Sequence, residues 1–417
     1  MQTYDIGIIG AGASGMASGI AALECKPDAK VLLIEKKEKP GRKLAASGNG
    51  RCNITNIFCA EYRSTADFLS HVGILLREEG QGRVYPYAGQ AAQVADILQA
   101  QLLKQGASFL TGDPVISFDR ASEKKGFFVI TASGRRIIVL KLIVSCGGKA
   151  GPQYGTSGDG YAWARRFGHQ VTKLVPVLTP LILADNYPGI DLKGVRAKAE
   201  VSLLRDGKII ASEKGEIQFT EYGVSGIAVF NLSRFVRIEK NESMQEGMQR
   251  YEISVDFLPE FSISELAQFL EKNYRASSNG FDSSILRTIV DDKIAETIVK
   301  AIFFEERARR DHLKERKFSL PEVSILPEHF TVLAEKLKAF RFGITKAAGW
   351  KAAQCTGGGI PLAEIEAETG ESKLQEGLYF TGEILDYDGP CGGYNLNHAW
   401  LTGERAGRAA ASALKTE

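Results

Sequence analysis

The chain has 417 residues, of which 44% are hydrophobic and 24% charged, and its formal net charge at pH 7 is +2. This length predicts two or three domains, because one domain usually spans roughly 100–200 residues. A net charge near zero provides no overall attraction to nucleic acid or to a membrane surface. We therefore expect a small-molecule substrate, no nucleic-acid partner and no membrane association.

Cysteine spacing and the length of apolar runs indicate where in the cell the protein is expected. The six cysteines show no Cys-x-x-Cys pair and no metal-type pairing, which predicts reduced thiols, no metal site and a cytoplasmic location. The first apolar strand begins within four residues of the N-terminus, so we expect no signal peptide. No apolar run reaches the roughly 20 residues needed to span a bilayer.

The start of the chain has the pattern of a β-α-β unit. An apolar segment typical of a buried strand precedes Gly10, Gly12 and Gly15, which form G-x-G-x-x-G. Gly10 permits a tight turn, Gly12 lets the backbone approach a pyrophosphate, and Gly15 lets the next helix pack close to the strand. Amide groups and the helix dipole would bind the phosphates at the first helical turn, which contains Ala13 and Ser14.

The second strand of this unit, residues 29–35, ends at Glu35, twenty residues after Gly15. A carboxylate at this position would accept hydrogen bonds from a ribose and disfavours a ribose 2′-phosphate. The pattern therefore predicts a site for FAD or NAD rather than NADP. The alternative is a glycine turn in an ordinary α/β core.

A long polar loop, residues 36–56, follows where an NAD dehydrogenase would usually continue into another helix. Its glycines, cations, amides and hydroxyls suit a backbone that wraps a large polar ligand, which favours FAD. The candidate cofactor-binding residues in this loop are Lys36, Arg42, Lys43, Ser47, Gly48, Asn49, Gly50, Arg51, Cys52 and Asn53. A flexible surface loop is the alternative.

The second half of the predicted site lies at the end of the chain. The segment 377–411 resembles FAD enzymes of the glutathione-reductase type, in which an Asp after a late strand binds the ribityl chain. In those enzymes a following helix, here expected to begin near Asn395, directs its N-terminus at the isoalloxazine and stabilises the anionic reduced flavin. The candidate residues are Gly382, Glu383, Asp386, Gly392, Gly393, Tyr394, Asn395 and Leu396. The alternative is a terminal α/β unit without ligand contact.

A third segment, "LKLIVSCGG" (140–148), is similar to the strand that ends in Ala-Thr-Gly in FAD-binding folds. Ser145, Cys146 and Gly147 occupy those three positions, and Gly148 follows. Val115, on an earlier strand, would place its backbone beside the adenine. Cys146, Gly147, Gly148 and Val115 therefore complete the predicted cofactor site.

Several longer motifs resemble one family, the BaiN-like flavoproteins, which include aminoacetone oxidase. They are "GRKLAASGNGRCNITN", "GRVYPYAGQAAQVADIL", "GGKAGPQYGTSGDGYAWARRFGH", "GEIQFTEYGVSGIAVFNLS", "QCTGGGI" and "GEILDYDGPCGGYNLNHAW", in the family's order. Cys391 and Cys355 stand where Thr and Val are expected. Each thiol either lies near the flavin and tunes its potential or fills a small space in the core.

The resemblance implies an α/β fold with a Rossmann-type FAD-binding domain, an inserted β-barrel subdomain and a small helical subdomain. The FAD-binding domain would comprise residues 1–175 and 343–417, the barrel 176–257 and 319–342, and the helical insert 258–318. Short alternating strands support the barrel, and a capping-type "SISE" before an apolar helical period supports the insert. A mixed charge run at 305–317 is typical of a solvated helix face.

The function predicted is an FAD-dependent oxidoreductase acting on a small organic or sterol-like molecule. NAD(P)H is the expected transient electron donor, without a nucleotide-binding fold of its own, and the resemblance allows bile-acid-type enone reduction. Alternatives are an oxygen-dependent amine oxidase of the aminoacetone type, and an RNA-acting or redox-sensing flavoprotein. The candidate catalytic residues are His398, Tyr394 and Tyr222, since a proton donor or base is needed beside the flavin.

Overall fold

The computed structural model describes residues 2–121, 126–184, 188–239, 242–276, 283–311 and 327–414. The chain divides into two compact units. The first unit consists of Met1–Val177 and Gly349–Glu417, and the second is Leu178–Ala348. The prediction of an FAD-type fold with an inserted barrel is confirmed by the sheets described below.

The strands are numbered in chain order. They are β1 Gln2–Ile9, β2 Val31–Glu35, β3 Thr55–Asn56, β4 Leu76–Glu79, β5 Arg83–Pro86, β6 Ser108–Thr111, β7 Val115–Arg120, β8 Phe127–Thr131, β9 Arg136–Val144, β10 Val175–Val177, β11 Leu181–Leu183, β12 Arg196–Arg205, β13 Lys208–Phe219, β14 Gly223–Ser225, β15 Tyr251–Asp256, β16 Phe340–Ala347, β17 Cys355–Gly357 and β18 Leu378–Phe380.

The α-helices are numbered in the same way. They are α1 Ala13–Cys25, α2 Arg42–Ala46, α3 Tyr62–His71, α4 Ala91–Lys104, α5 Asp159–Arg166, α6 Gly189–Leu192, α7 Ile227–Ser233, α8 Met244–Gln249, α9 Ile263–Ala276, α10 Asp292–Asp311, α11 Pro327–Lys338 and α12 Tyr394–Ser412.

A mostly parallel sheet forms the centre of the first unit. Its strand order is β6-β2-β1-β9-β8-β7, and β18 pairs with the second half of β9. β1 is parallel to both β2 and β9, and its Ile6 and Ile8 are fully buried between two apolar cores. Because β1, β2, β9 and β18 are parallel, their carboxyl ends meet at one edge, where ligands bind in open α/β sheets.

Helices α1 and α12 pack against each other at very close range. A Cβ atom on Gly403 would lie 2.3 Å from the carbonyl oxygen of Ser14, and one on Gly407 would lie 2.1 Å from that of Ser18. No real side chain tolerates these distances, so glycine at both positions sets the spacing of the helices. This contact joins the first and last segments of the chain.

A small antiparallel sheet, β3-β5-β4, is hydrogen-bonded to the last segment as well. The Thr55 hydroxyl donates to Asn397 Oδ1 at 2.6 Å, and Asn56 Nδ2 donates to the carbonyl oxygen of Gly392 at 3.0 Å. The buried Trp400 indole donates to the Ile54 carbonyl at 3.0 Å. The motifs "RCNITN" and "GGYNLNHAW" are therefore in direct contact.

The second unit contains a closed antiparallel barrel with the order β11-β14-β13-β12-β15-β16. Helices α9, α10 and α11 share one apolar core with it, through residues such as Leu270, Ile298 and Leu333. The predicted helical subdomain therefore has no separate core within the described residues.

The predicted domain limits differ from the elements in three places. Residues 327–338 form α11, although 319–342 were expected to return to the barrel, and β16 crosses the limit at 342/343. The helix-forming period of "PEHFTVLAEKLK" explains the first difference. The predicted domain limit at 175/176 falls within β10. The mixed charge run predicted at 305–317 lies partly outside the described residues, which end at Asp311 in this part of the chain.

Among the described residues, every helix is too short or too polar to cross a bilayer.

Adding one methyl group between α1 and α12 should destabilise the first unit. We expect Gly407→Ala to cost about 1–3 kcal/mol, because the new Cβ overlaps the Ser18 carbonyl oxygen. Thermal unfolding followed by circular dichroism measures the loss. Gly349→Ala is the matched control, since its Cβ would meet nothing within 4 Å. Equal midpoints for the two variants would contradict the proposed close packing.

Candidate functional site

The first glycine loop, residues 10–15, connects β1 to α1 and is fixed by contact with the end of β9. Gly10 has φ +100°, and its Cβ would lie 2.6 Å from the Ser145 carbonyl oxygen. A Cβ on Gly15 would lie 2.0 Å from the Gly10 carbonyl oxygen. The Ser145 hydroxyl donates to the carbonyl oxygens of Ile9 and Gly10, at 3.0 and 2.9 Å. The turn and the helix packing expected of Gly10 and Gly15 are both present.

Gly12 differs from its neighbours because the space beside it is open. A Cβ built on Gly12 would meet nothing within 4 Å, and Gly12 is the N-cap of α1. The first amides of a helix have no intrahelical acceptor, so those of Ala13, Ser14 and Gly15 begin the helix as free donors. The first turn contains no acidic residue. This end of α1 suits an anionic group such as a pyrophosphate.

Glu35, at the end of β2, is tied to the glycine loop. Its carboxylate accepts hydrogen bonds from the Ala11 amide at 3.0 Å and from the Lys37 amide at 2.9 Å. The adjacent Lys36 pairs with Asp159 at 2.8 Å. Glu35 therefore orients the loop, and it keeps acceptor capacity for the ribose hydroxyls that the sequence predicted.

The loop containing residues 47–53 has an unusual backbone. Gly48, Asn49, Gly50 and Cys52 all have positive φ, between +55° and +84°. Left-handed conformations in residues other than glycine are uncommon and concentrate at functional sites. The next residue, Asn53, has a buried Oδ1 without a hydrogen-bond partner in the described structure. A bound polar group would satisfy this atom.

The other predicted residues of this segment have different positions. Ser47 donates to the Leu44 carbonyl at 2.6 Å, and Arg42, the first residue of α2, lies 3.5 Å from the Gln153 carbonyl. Arg51 extends over the Tyr85 ring, with its guanidinium carbon 4.4 Å from the ring centroid. Arg51 therefore contacts the small sheet rather than the first glycine loop.

The end of β18 brings the last segment to the first glycine loop. A Cβ on Gly382 would lie 2.6 Å from Ser14 Oγ. Lys43 donates to Oε2 of the next residue, Glu383, whose Oε1 accepts from the Thr356 hydroxyl at 2.8 Å and from the Thr356 amide at 3.0 Å. The predicted residues Lys43 and Glu383 thus form one network across 340 positions of sequence.

Thr356 links this network to the segment after β9. Its hydroxyl accepts from the amides of Lys149 and Ala150 at 2.8 and 3.0 Å. A Cβ on Gly148 would lie 2.3 Å from that hydroxyl oxygen, so Gly148 is needed for the contact. Gly147 has φ +74°, and Cys146 packs against Gly160. These predicted residues therefore fix the conformation of the segment that follows β9.

Two further predicted residues lie beside these elements. Val115 is the buried first residue of β7 and packs in the core on the opposite face of the sheet from α1. Asp386 accepts a hydrogen bond from the Thr172 hydroxyl at 2.8 Å. Asp386 therefore anchors the segment after β18 to residues that precede β10.

Helix α12 begins at the glycine pair. Gly393 is its N-cap, with φ +103°, and a Cβ there would lie 2.2 Å from the Thr55 carbonyl oxygen. The Asn397 amide makes the first intrahelical bond, to Gly393 at 2.9 Å. The amides of Tyr394, Asn395 and Leu396 therefore lack intrahelical acceptors, and the positive end of the helix dipole lies here. The Gly392–Gly393 turn and this helical turn are where the sequence predicts contact with the flavin ring, and that contact stays a prediction.

Side-chain hydrogen bonds hold this turn in place. The Asn395 carboxamide accepts from the Gly389 amide and donates to the Gly389 carbonyl, each at 2.9 Å. Cys355 Sγ lies 3.5 Å from Asn395 Oδ1. Asn395 is therefore a structural link between the preceding loop and α12, as well as a predicted cofactor residue.

The three candidate catalytic residues have different surroundings. Tyr394 is half-buried at the start of α12, and burial raises its pKa, so its phenol stays protonated. His398 stacks on Tyr387, with ring centroids 4.1 Å apart, and burial lowers its pKa to about 4. Its Nε2 is buried without a partner in the described structure. Tyr222 belongs to the second unit, where its side chain is 67% exposed.

The cysteines near the site are thiols rather than thiolates. Burial raises the pKa of Cys52 to about 11 and that of Cys146 to about 12. It raises the pKa of Cys355 well above the usual value and that of Cys391 in the same direction. These groups are protonated at neutral pH, so they are not reactive thiolates. A neutral thiol is compatible both with filling space and with tuning the flavin, so both interpretations of Cys355 and Cys391 stay open.

Sequence reasoning missed the functions of Ser145 and Thr356. Both connect segments more than a hundred residues apart through side-chain hydrogen bonds. The sequence did contain a signal for both residues. Ser145 begins the segment "SCGG" and Thr356 begins the segment "TGGG", so each hydroxyl directly precedes glycines near the end of a strand.

Comparison with known proteins identifies the family. The model of the HI0933-like protein Rossmann domain matches residues 4–67 and 57–409. The chain belongs to this family. A 3-dehydro-bile acid delta(4,6)-reductase from Clostridium scindens is 35% identical, and the alignment covers 97% of this chain and 98% of the relative. The resemblance to BaiN-like flavoproteins is thereby confirmed.

Two other relatives have a different name. The ribosomal RNA dihydrouridine synthase of Escherichia coli is 29% identical over 96% of both chains. That of Haemophilus influenzae is 28% identical over 94% of this chain and 95% of its own. Each relative is thus similar to this protein along nearly its whole length.

Family membership and structure together make the protein an FAD-dependent oxidoreductase. The described residues fit this cofactor in three ways. Space is open beside Gly12, Asn53 Oδ1 has no partner, and the N-termini of α1 and α12 belong to two tightly packed helices. The N-terminus of α1 would bind the diphosphate, and the N-terminus of α12 would lie at the flavin ring.

Filling the space beside Gly12 should exclude the cofactor without disturbing the fold. We expect Gly12→Val to reduce the flavin content per chain at least tenfold, because the open space would be needed by the pyrophosphate. Visible absorbance measures flavin, and far-UV circular dichroism measures the fold. Gly80→Val, also in open space, is the control and should stay yellow. Full flavin content in Gly12→Val would disprove the predicted pyrophosphate position.

His398 should make the protein less stable in acid. Its native pKa of about 4 lies below the value near 6.5 expected when unfolded, so protons bind preferentially to the unfolded chain as pH falls from about 6.5 to 4. Stability should decrease over this interval by on the order of 3 kcal/mol. His398→Gln should reduce this pH dependence in urea unfolding relative to the parent protein. An unchanged slope in His398→Gln would refute a buried neutral imidazole.

Proposed function

We propose that this protein reduces a carbon–carbon double bond conjugated with a carbonyl group in a ring-shaped substrate. The observation that most supports the cofactor part of this proposal is the helix arrangement at the site. The amide ends of α1 and α12 come from two helices in direct contact, so one extended cofactor can use both. FAD, when bound, would supply the hydride.

The names of the relatives support the same reaction class. Reducing a 3-dehydro-bile acid at delta(4,6) and converting uridine to dihydrouridine both saturate a ring double bond conjugated with a carbonyl. The substrates differ greatly in size, so the shared element is the ring that reacts. We infer that this chain keeps the chemistry common to both names.

The electron donor in this proposal is NAD(P)H. The sequence contains no second G-x-G-x-x-G followed by a strand with an acidic or basic end. A nicotinamide would therefore dock transiently at the flavin. The cysteine spacing favours no dithiol alternative, because the sequence contains no Cys-x-x-Cys or Cys-x-x-x-x-Cys pair.

Residues of this chain would assist the reaction in two ways, by stabilising charge on the cofactor and by donating a proton to the substrate. With FAD bound, the amides at the start of α12 would stabilise negative charge on the flavin ring. Tyr394, whose phenol is protonated and lies at that helix end, is the proposed proton donor to the substrate carbon. His398 is neutral at pH 7 and cannot donate as an imidazolium.

Anaerobic mixing tests this proposal. We expect NADH or NADPH to bleach the flavin, and a 4-ene-3-oxosteroid or a uridine-containing RNA to restore its colour with a saturated product. Tyr394→Phe should leave bleaching unchanged and slow the second step by about 100-fold. The control is Tyr4→Phe, since Tyr4 lies near the start of β1, away from the end that leads into the first glycine loop. This variant should react like the parent in both steps.

Two results would count against it. Bleaching by an amine with oxygen consumption, and not by NAD(P)H, would identify an amine oxidase instead. Equal second-step rates for Tyr394→Phe and the parent would remove Tyr394 from the proton-donor role.

A further inference from the structure

The small sheet β3-β5-β4 carries three arginines on one side. Arg77 pairs in register with Tyr85, and Glu79 pairs with Arg83, so these four side chains project in the same direction. Arg51 reaches this side from the preceding loop, with its guanidinium carbon 4.4 Å from the centroid of the Tyr85 ring. We call the three residues Arg51, Arg77 and Arg83 the arginine patch.

The other side of β4 and β5 is less suited to an anionic ligand. Val84 lies on that side, is 1% exposed and packs in an apolar core, so part of the surface there is closed. Glu78 pairs with Val84 in register and is exposed. Because its carboxylate repels phosphate groups, we expect a phosphate-bearing ligand to prefer the side with the arginine patch.

Glu79 holds two of the three guanidinium groups side by side. Its Oε1 accepts hydrogen bonds from Arg51 at 2.6 Å and from Arg77 Nε at 3.1 Å. Each guanidinium keeps further N–H donors, since arginine has five. Arg83 donates to Gln81, and in the described part of the chain no carboxylate lies within ion-pair distance of it. Three arginines and one carboxylate therefore leave this side of the sheet with an excess of positive charge.

An exposed aromatic ring lies at one end of the patch. Tyr87 directly follows β5 and is 59% exposed. The Arg77 guanidinium carbon is 5.5 Å from the centroid of its ring. An accessible ring of this kind offers a stacking surface to a planar base, and a neighbouring guanidinium strengthens such a contact.

The other end of the patch adjoins the start of α12. A Cβ on Gly392 would lie 3.7 Å from Arg83 Nε, and Asn56, on β3, donates to the Gly392 carbonyl at 3.0 Å. Gly392 directly precedes the N-cap of α12, where we expect the flavin ring. From Arg83 to Tyr87 the strand advances about 13 Å, since each residue contributes about 3.3 Å. The patch thus extends from the expected ring position over a distance that an extended dinucleotide can span.

We propose that the arginine patch is the docking site of the electron donor and that this donor is NADPH. Its nicotinamide would lie beside the flavin ring, and its diphosphate would contact Arg83. The adenosine 2′-phosphate would lie between Arg51 and Arg77, and the adenine would stack on Tyr87. This inference rests on the proposed function and specifies the donor, which the proposed function leaves open between NADH and NADPH.

The charges at the patch favour NADPH over NADH. A carboxylate on its own favours the ribose diol of NADH, whereas an arginine accommodates a 2′-phosphate. Here the carboxylate of Glu79 is shared by two arginines, so a 2′-phosphate would meet a net positive charge. Contacts between guanidinium and phosphate are short, strong and often bidentate. NADH would leave these donors without an anionic ligand.

Binding of two adenosine ligands to the FAD-loaded protein, measured by isothermal titration calorimetry, tests this site. Adenosine 2′,5′-bisphosphate carries a phosphate for each end of the patch, and adenosine 5′-monophosphate lacks the 2′-phosphate. We expect the bisphosphate to bind at least about tenfold more tightly, since one hydrogen bond between charged groups contributes roughly this factor. FAD fills its own adenosine site, so binding there does not contribute.

Two variants separate the two phosphate contacts. Arg77→Gln should reduce the preference for the bisphosphate about fivefold, because one of the two arginines at the 2′-phosphate is lost, and Arg77→Lys should restore part of it. Arg83→Gln should weaken both ligands by a similar factor and leave the preference unchanged. The control is Arg165→Gln, at an exposed position of α5, which packs on the other face of the central sheet. This variant should bind both ligands like the parent.

The outcomes separate this inference from the proposed function. Equal affinity of the parent for the two ligands, no binding of either, or an unchanged preference in Arg77→Gln would overturn NADPH docking at the patch, even if NADH bleaches the flavin and an enone is reduced. A preference that Arg77→Gln diminishes and Arg165→Gln does not would support the patch, even if no double bond is reduced. In that case only the proposed function would fail.

Discussion

The close packing of α1 against α12 is the contact on which the rest of the site depends. Two glycines on α12 allow its backbone to approach carbonyl oxygens of α1 at distances that exclude any side chain. The first and last helices of the chain are therefore joined as one rigid pair. Because both helices follow strands that end at the same edge of the parallel sheet, we expect their positive ends to contribute to a single cofactor site.

Hydrogen bonds across long sequence separations reinforce this pair. Ser145 fixes the first glycine loop, and Thr356 connects Glu383 and Lys43 to the segment after β9. Thr55 and Asn56 connect the polar loop to the start of α12. The atoms left without partners, such as Asn53 Oδ1, are thus exceptions in a well-satisfied region. Such exceptions are expected where a cofactor supplies the missing group.

Local patterns predicted much of this arrangement. The glycine spacing, the alternation of apolar residues in the barrel strands and the late strand-glycine-helix segment each depend on nearby residues, and each was recognisable. The inserted barrel and the FAD-type fold are confirmed. The assignments of individual cofactor and catalytic residues stay predictions, supported by the positions of Gly12, Asn53 and Gly382.

Features that depend on distant pairs were not predictable in the same way. The contact of Thr356 with Gly148 joins segments about two hundred residues apart, and no local sequence pattern indicates it. The environment of His398 is set by Tyr387 and by burial rather than by its motif.

A structure of the protein reconstituted with FAD tests the central claim most directly. The account predicts the diphosphate beside Gly12, at the amides that begin α1, and the flavin ring at the amides of Tyr394 to Leu396. An FAD molecule located away from either helix end, or a purified protein that fails to take up FAD, would contradict it.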